Sequence, residues 1–227
     1  MTTPTTRLLV SDMAGTSVRD DGLVEAAFTD AIAGEGIEPG GPAYEEALAV
    51  VRHTMGMSKI EVFRRILQSE PRARAATQAF EEAVARRIEA GMVSPLPGVE
   101  QAFRSLREAG VKIALTTGFS DVTREALLDR LGWKDLVDLS LSPSEELRGR
   151  PHPDLALAAL IRLRIDDVRD LATVGDTRSD LEAGWRAGAS IVAGVLTGAH
   201  DRRQLESAPH THLLASLPDL VPVLFRG

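Results

Sequence analysis

Residues 7–16 read Arg-Leu-Leu-Val-Ser-Asp-Met-Ala-Gly-Thr, and this stretch decides the fold. The apolar run predicts a short buried strand over Arg7–Asp12 that ends in a carboxylate. Working outward, similar runs between breakers occur at Val111–Thr117 (stopped by Gly118), Leu136–Leu141, Leu171–Gly175 and Ile191–Val195, with a weaker one at Thr211–Leu214. Helix-spaced apolar residues lie between them: Val99, Ala102, Phe103 and Leu106, then Leu155, Leu157, Ala158, Leu160 and Ile161. Strands alternating with helices predict an α/β fold with a mostly parallel sheet covered on both faces.

One stretch breaks the alternation. Helical patterns cover Val24–Ala33, Tyr44–His53, Lys59–Gln68 and Ala75–Ala90, with no strand among them. Gly34–Gly41 reads as a loop: Pro39 occupies the last position a dinucleotide-binding glycine motif needs, and no strand precedes it. Pro95-Leu-Pro-Gly98 marks the return to the sheet. The expected organisation is an α/β core formed by residues 1–18 and 94–227, with a helical cap, 19–93, inserted after the first strand.

Composition narrows the function. The 227 residues carry a net charge of −7, are 44% hydrophobic and include no cysteine. A chain of this length buries a core without disulfide or metal staples. The lack of cysteine excludes a thiolate zinc site and a cysteine nucleophile. The acidic balance without a basic run argues against a nucleic-acid or anionic-membrane partner. No apolar stretch approaches a membrane span, and Met1–Thr6 lacks the apolar region of a signal peptide, so a soluble, cytoplasmic protein is expected.

Open parallel sheets bind ligands at the carboxyl ends of their strands, and Asp12, Thr117 and Asp176 all fall there. Singly, each carboxylate reads as a turn former or helix cap. Together they offer two ligands for a divalent cation, with a hydroxyl to hold a phosphoryl oxygen; Mg²⁺ needs few carboxylates beside water and substrate phosphate. Ser179-x-x-Glu182 has the form of a capping box that places Asp180 in a helix's first turn, where the dipole favours negative charge. Thr117–Ser120 precedes another helix, whose free N–H groups are a potential anion site.

Asp12-Met-Ala-Gly-Thr16, Thr117-Gly118, Arg150-Pro151 and Gly175-Asp176-x-x-x-Asp180 resemble, in order and rough spacing, the four motifs of the haloacid dehalogenase superfamily. The resemblance spans nearly the whole chain. It implies a Rossmann-like core and an aspartate nucleophile working with Mg²⁺, mostly in phosphoryl transfer. Carried over, Asp12 is the nucleophile and a metal ligand, the Ala14 carbonyl a second ligand, and Asp176 a third supported by Asp180. Thr117 corresponds to the phosphate-binding hydroxyl, with Gly118 beside it and Thr16 near the substrate. Arg150 corresponds to the basic residue of the third motif.

Two departures are informative. Ordinary phosphatases of this group carry a second Asp, the general acid for the leaving alcohol, where this chain has Ala14; such help is typically worth about 10²–10⁴-fold. The third motif normally carries Lys, and here it is Arg150. Both changes resemble the phosphonatase branch, which cleaves the carbon–phosphorus bond of phosphonoacetaldehyde and keeps a cap lysine within M-G-x-x-K. This chain has Met55-Gly-Met-Ser-Lys59, and Lys59 is one of only three lysines among 26 basic residues. A lysine condensed with an aldehyde gives an iminium, an electron sink that leaves no oxygen to protonate; an always-charged guanidinium cannot do this. The plain alternative for Lys59 is a solvated helix residue.

Inside the cap the resemblance is incomplete. Phosphonatases carry a His three residues after the lysine and a Tyr after the second motif, where this chain has Val62 and Phe119. The phosphoryl half matches and the aldehyde half is altered, so the expected substrate is phosphonoacetaldehyde or a related 2-oxoalkyl phosphonate. Alternatives are a phosphate-ester phosphatase without the usual acid, and a catalytically silent phospho-ligand binder. The resemblance also implies a homodimer through the cap. His53 reads as a surface histidine, His210-Thr-His212 as an exposed loop, His152 as a helix-starting residue, and Trp133 and Trp185 as packing residues.

Overall fold

The computed structural model of the protein describes residues 6–19 and 21–225. Residues 1–5, read above for a leader, Asp20 of the cap segment and residues 226–227 lie outside the described residues. Six strands form one sheet: β1 (Leu8–Asp12), β2 (Lys112–Thr116), β3 (Leu139–Leu141), β4 (Leu171–Gly175), β5 (Ile191–Val195) and β6 (His212–Leu214). Their order is β3-β2-β1-β4-β5-β6. Every pairing is parallel, with Asp12 beside Thr116 and Ser11 beside Val174. The chain winds outward from β1 in both directions, so the switch point that opens a ligand crevice lies at the carboxyl end of β1.

β1 and β4 are buried along their whole length, as strands covered on both faces must be. Leu9, Ile113 and Ala172 face a core shared with α5 (Val99–Glu108), whose buried residues are the predicted Val99, Ala102, Phe103 and Leu106. Leu8, Val10 and Ala114 face α7 (Asp154–Arg162) on the other side. On α7 the expected core residue Ile161 turns outward, 77% exposed, and Ala156 and Ala159 take the inner face. β3 begins three residues later than expected, because Gly132 ends α6 (Asp121–Leu131) in a left-handed conformation and a turn after it consumes Trp133–Leu136.

Four helices lie between β1 and α5: α1 (Leu23–Ala33), α2 (Pro42–His53), α3 (Lys59–Leu67) and α4 (Glu70–Glu89). α4 starts five residues before the apolar pattern does. Ser69 is extended at its N-cap and Pro71 occupies the first turn, where a missing N–H removes no helix bond. Gly34–Gly41 is the loop joining α1 to α2. Phe28, Phe63 and Phe80 form the centre of this helical layer, with ring centroids 5.0, 4.6 and 6.2 Å apart. Two linkers connect it to the sheet and run side by side: Arg19 N–H donates to Ser94 O at 2.9 Å, and Leu96 N–H to Ser17 O at 3.0 Å. The remaining helices are α8 (Arg178–Arg186), α9 (Arg202–Glu206) and α10 (Val221–Leu224). No helix among the described residues is long and apolar enough to cross a membrane.

Candidate active site

Asp12 ends β1 and is buried. The chain then turns sharply: the N–H groups of Ser17 and Val18 both donate to Met13 O, and Gly15 adopts φ +86°. Gly15 is needed for space as well as conformation. A Cβ there would lie 2.6 Å from Asp176 Oδ2, so only glycine lets the first turn reach the carboxylate after β4.

Asp176 follows Gly175 at the end of β4. Its Oδ1 accepts from the Thr16 hydroxyl at 3.0 Å and its Oδ2 from Ala199 N–H at 2.6 Å. Asp180 is brought in by α8. The helix begins earlier than the sequence pattern indicates: its N-cap is Thr177, which forms a reciprocal capping box with Asp180, so the expected Ser179–Glu182 box does not form. The reason is steric. Gly175 has no side chain, and a Cβ there would lie 2.2 Å from Asp180 Cβ, so the first turn of α8 closes directly onto the strand end.

Asp12, Asp176 and Asp180 offer oxygens that all lie within 4.8 Å of one another. Arg150, itself buried, donates through Nη1 to Asp12 Oδ1 at 2.5 Å and to Asp180. One guanidinium does not balance three carboxylates. Burial, followed by the charge of Asp180 and against the pull of Arg150, pushes Asp12 up to about 6. Burial and the neighbouring Asp12 and Asp180 hold Asp176 well above the usual carboxylate range. Hard oxygen donors with unbalanced buried negative charge suit a divalent cation. Arg150 Nε and Nη2 have no protein acceptor, although both are buried. Two unpaired donors of a rigid fork beside the Asp12 carboxylate match the oxygens of a phosphoryl group.

The helical layer between β1 and α5 supplies the opposite wall. Asp12, Ala14, Met55, Gly56, Lys59, Thr117, Gly118, Arg150 and Asp176 line one cavity of about 30 Å³, together with Val24, Phe119, Thr177 and Ala199. Lys59 is the first residue of α3 and only 6% exposed, which excludes the solvated-residue reading. Its Nζ lies 5.1 Å from the Phe119 ring centroid and 5.5 Å from those of Phe28 and Phe80. Such distances are those of cation–π contacts.

Two of the expected site residues, Asp180 and Thr16, do not line the cavity, and Thr16 is held behind it. Its side chain is fully buried, its hydroxyl is committed to Asp176, and it does not line the cavity. Asp180 also stands behind the cavity, both its oxygens engaged by Arg150 and Thr177. The N-terminus of α6 differs from expectation in a specific way. Its anion is the protein's own: Glu81 of α4 accepts from Ser120 N–H at 3.1 Å, from the Ser120 hydroxyl at 2.6 Å and from the Thr123 hydroxyl.

Val62 is buried in the cap core and does not reach the cavity, whereas Phe119 does. His53 is exposed, but His210 and His212 are half-buried and His212 begins β6, so this segment is not the exposed loop expected; Trp185, at 54% exposure, is not the packing residue expected. Trp133 does pack, edge-on against Phe103, and its indole donates to Glu100 at 2.9 Å. Sequence reading passed over Phe28, Phe80, Thr177, Ala199, Glu81 and His200. Apart from Thr177, which lies within the motif that carries Asp180, none belongs to a spaced motif with the residues it meets. His200 is buried, and burial pushes its imidazole below the usual histidine value, favouring the neutral ring.

A switch-point aspartate, two further carboxylates and a buried arginine beneath a layer of helices make the site of a hydrolase. The family model described as haloacid dehalogenase-like hydrolase matches residues 6–188, and the chain belongs to that family. It is similar to the phosphonoacetaldehyde hydrolase of Bordetella pertussis, 28% identical across 95% of this chain and 90% of that one. A Dickeya dadantii protein named "Probable phosphatase IndB" is 27% identical across 94% of this chain and 91% of its own. The fold is shared with a phosphonoacetaldehyde hydrolase-like protein from Oleispira antarctica, at a TM-score of 0.81 and 23% identity, covering 99% of this chain and 93% of the other.

Proposed function

We propose that the enzyme cleaves the carbon–phosphorus bond of phosphonoacetaldehyde or a related 2-oxoalkyl phosphonate. The observation that carries this reading is the placement of Lys59 in the same cavity as Asp12, with Ala14 where an alcohol-protonating acid would stand. Lys59 condenses with the carbonyl and releases water, giving an iminium two bonds from phosphorus. Asp12 attacks phosphorus; the C–P bonding pair moves into the iminium, which becomes an enamine, and an aspartyl-phosphate forms. Protonation of the enamine carbon and hydrolysis of the resulting imine free the carbonyl product. Water cleaves the aspartyl-phosphate to inorganic phosphate.

Arg150 orients the phosphoryl oxygens through its free Nε and Nη2 while holding Asp12 through Nη1. Thr117 binds a further phosphoryl oxygen, with Gly118 beside it, and Met55 and Gly56 contact substrate from the cap. Asp12, the Ala14 carbonyl and Asp176 hold Mg²⁺, with Asp180 in support; when bound, the ion neutralises charge on the transferring phosphoryl group. Residues 19–93 act as the cap, swinging on the paired linkers near Ser17–Arg19 and Ser94–Leu96. With about 30 Å³ in the closed cavity, the cap opens to admit substrate and closes to exclude bulk water. The reading includes a homodimer through the cap and a cytoplasmic location.

Borohydride reduction in the presence of phosphonoacetaldehyde, followed by peptide mass mapping, tests the imine. A reduced adduct on Lys59 is the expected result. No adduct, together with undiminished turnover in Lys59→Arg, overturns the reading. The second reading, a phosphate-ester phosphatase, is favoured by Phe119, which lines the cavity and offers no acid–base group to the carbonyl end. Faster turnover of phosphate esters than of phosphonoacetaldehyde would establish it.

A further inference from the structure

His200 lies in the loop after β5, outside every motif so far used, yet it is 5% exposed and joins three parts of the molecule. Its backbone N–H donates to Asp176 O at 3.3 Å. Its Nδ1 accepts from the N–H of Arg178, the first residue of α8, at 2.9 Å. Because Nδ1 accepts, Nε2 carries the proton, and that nitrogen lies 3.2 Å from the carbonyl oxygen of Arg52, in the last turn of α2. One ring therefore bonds the helix that bears Asp180 on one side and the cap on the other.

The contact with Arg52 falls where the cap descends onto the core. Two residues on, Thr54 is buried with its hydroxyl donating back to Val50 O at 2.7 Å. Gly56 then lies against Thr177, and Met57 O approaches Gly118 so closely that a Cβ there would be 2.4 Å away. The Gly56 and Gly118 approaches are steric and exclude bulk without holding the cap down. The His200 bond is directional and attractive.

We propose that His200 is a positioning residue that latches the cap closed, setting Met55, Gly56 and Lys59 over the cavity through its bond to Arg52. The proposal rests on the reading of 19–93 as a mobile cap and is independent of which phosphorus bond is cleaved. Two isosteric halves of the imidazole separate its two bonds. In His200→Asn the amide oxygen replaces Nδ1 and keeps the Arg178 bond, but the side chain is too short to reach Arg52. In His200→Gln the amide reaches towards Arg52, and the Nδ1 acceptor is lost.

The readout is acylation of the three lysines of the whole protein by a small amine-reactive ester, followed by peptide mapping. Lys59 is buried, whereas the side chains of Lys112 and Lys134 are 51% and 52% exposed and serve as internal controls. The latch predicts labelling of Lys59 about fivefold faster in His200→Asn, the size expected when one net hydrogen bond leaves the closed state. Lys112 and Lys134 keep their rates, and His200→Gln stays within about twofold of wild type. An unchanged Lys59 rate in His200→Asn, a larger effect in His200→Gln, or a rise at all three lysines overturns the proposal. Gly56→Ala separates the two layers of the argument, since it forces the cap away from Thr177 without touching His200. Faster Lys59 labelling in Gly56→Ala alone means that the cap opens and His200 is not its latch. No change in either variant rejects the mobile cap as well.

Discussion

Gly56 in the cap and Thr177 at the head of α8 are packed so closely that a methyl group on Gly56 would lie 2.5 Å from Thr177 Oγ1. Gly56 also has φ +82°, a region costing an L-residue roughly 1 kcal/mol or more. Both effects oppose closure and neither touches the sheet. Gly56→Ala is therefore expected to lower kcat/KM by about tenfold or more, with little loss in the unfolding midpoint of the core. Steady-state kinetics beside a thermal melt measure the two effects.

Arg150 makes two kinds of contact, and two variants divide them. Arg150→Met leaves Asp12 and Asp180 buried without a cation and is expected to destabilise the metal-free protein by about 3–5 kcal/mol. Arg150→Lys keeps the charge and loses the fork. It is expected to remain folded while KM rises, as follows if the unpartnered Nε and Nη2 hold the phosphoryl oxygens as proposed. Urea unfolding and substrate titration of both variants check this.

Removal of divalent metal should be felt in stability as well as rate. A cation that binds the folded carboxylates adds about 2.7 kcal/mol at one hundred times its Kd. Melting with EDTA and with Mg²⁺ should show this gain for the wild type and its loss in Asp176→Asn. Burial and like charges disfavour the Asp176 carboxylate, so the Asn variant in EDTA should melt no lower than wild type. A lower melt would mean that Asp176 stabilises the fold by itself.

Lys59→Met keeps the flexible apolar stem and removes the amine. Turnover of phosphonoacetaldehyde is expected to fall by at least about 10³-fold, as loss of a covalent catalyst implies. Hydrolysis of an aryl phosphate with a good leaving group depends on Asp12 and should fall far less. Equal losses on both substrates would assign Lys59 to binding alone.

The joint between α3 and α4 should weaken in acid. Hydrogen bonding from Arg64 pushes the Glu70 carboxyl down to about 2, against an ordinary value of 4.5. A depressed carboxyl favours the fold above its unfolded pKa, and that contribution disappears as pH falls from about 4.5 towards about 2. Amide-exchange protection at the start of α4 should drop over this window in wild type and stay flat in Glu70→Gln. The effect shrinks in high salt because the pair is exposed.

Much of this molecule was legible along the chain. β4 and β5 occupy the predicted residues, and β1 differs by one, because parallel strands buried on both faces are unbroken apolar runs. Asp12, Thr117 and Asp176 were identifiable because strand ends in such sheets converge on one crevice. α4 was misjudged at its start because Glu70–Arg74 is polar and only Ser69 and Pro71 signal the helix there. The capping box of α8 was displaced because two overlapping Ser/Thr-to-acid patterns are chemically equivalent until Gly175 lets one of them close.

The sequence by itself determined the alternation of elements, the order of the motif residues and the presence of a lysine where an acid is missing. These are properties of local periodicity and residue chemistry, which require no knowledge of what packs on what. Tertiary structure alone decided that Lys59 sits among Phe28, Phe80 and Phe119, that Glu81 fills the α6 terminus, and that His200 spans core and cap. Each of those contacts joins residues on separate elements. Their distances follow from how four helices settle over the carboxyl ends of the central strands, and no spacing along the chain encodes that docking.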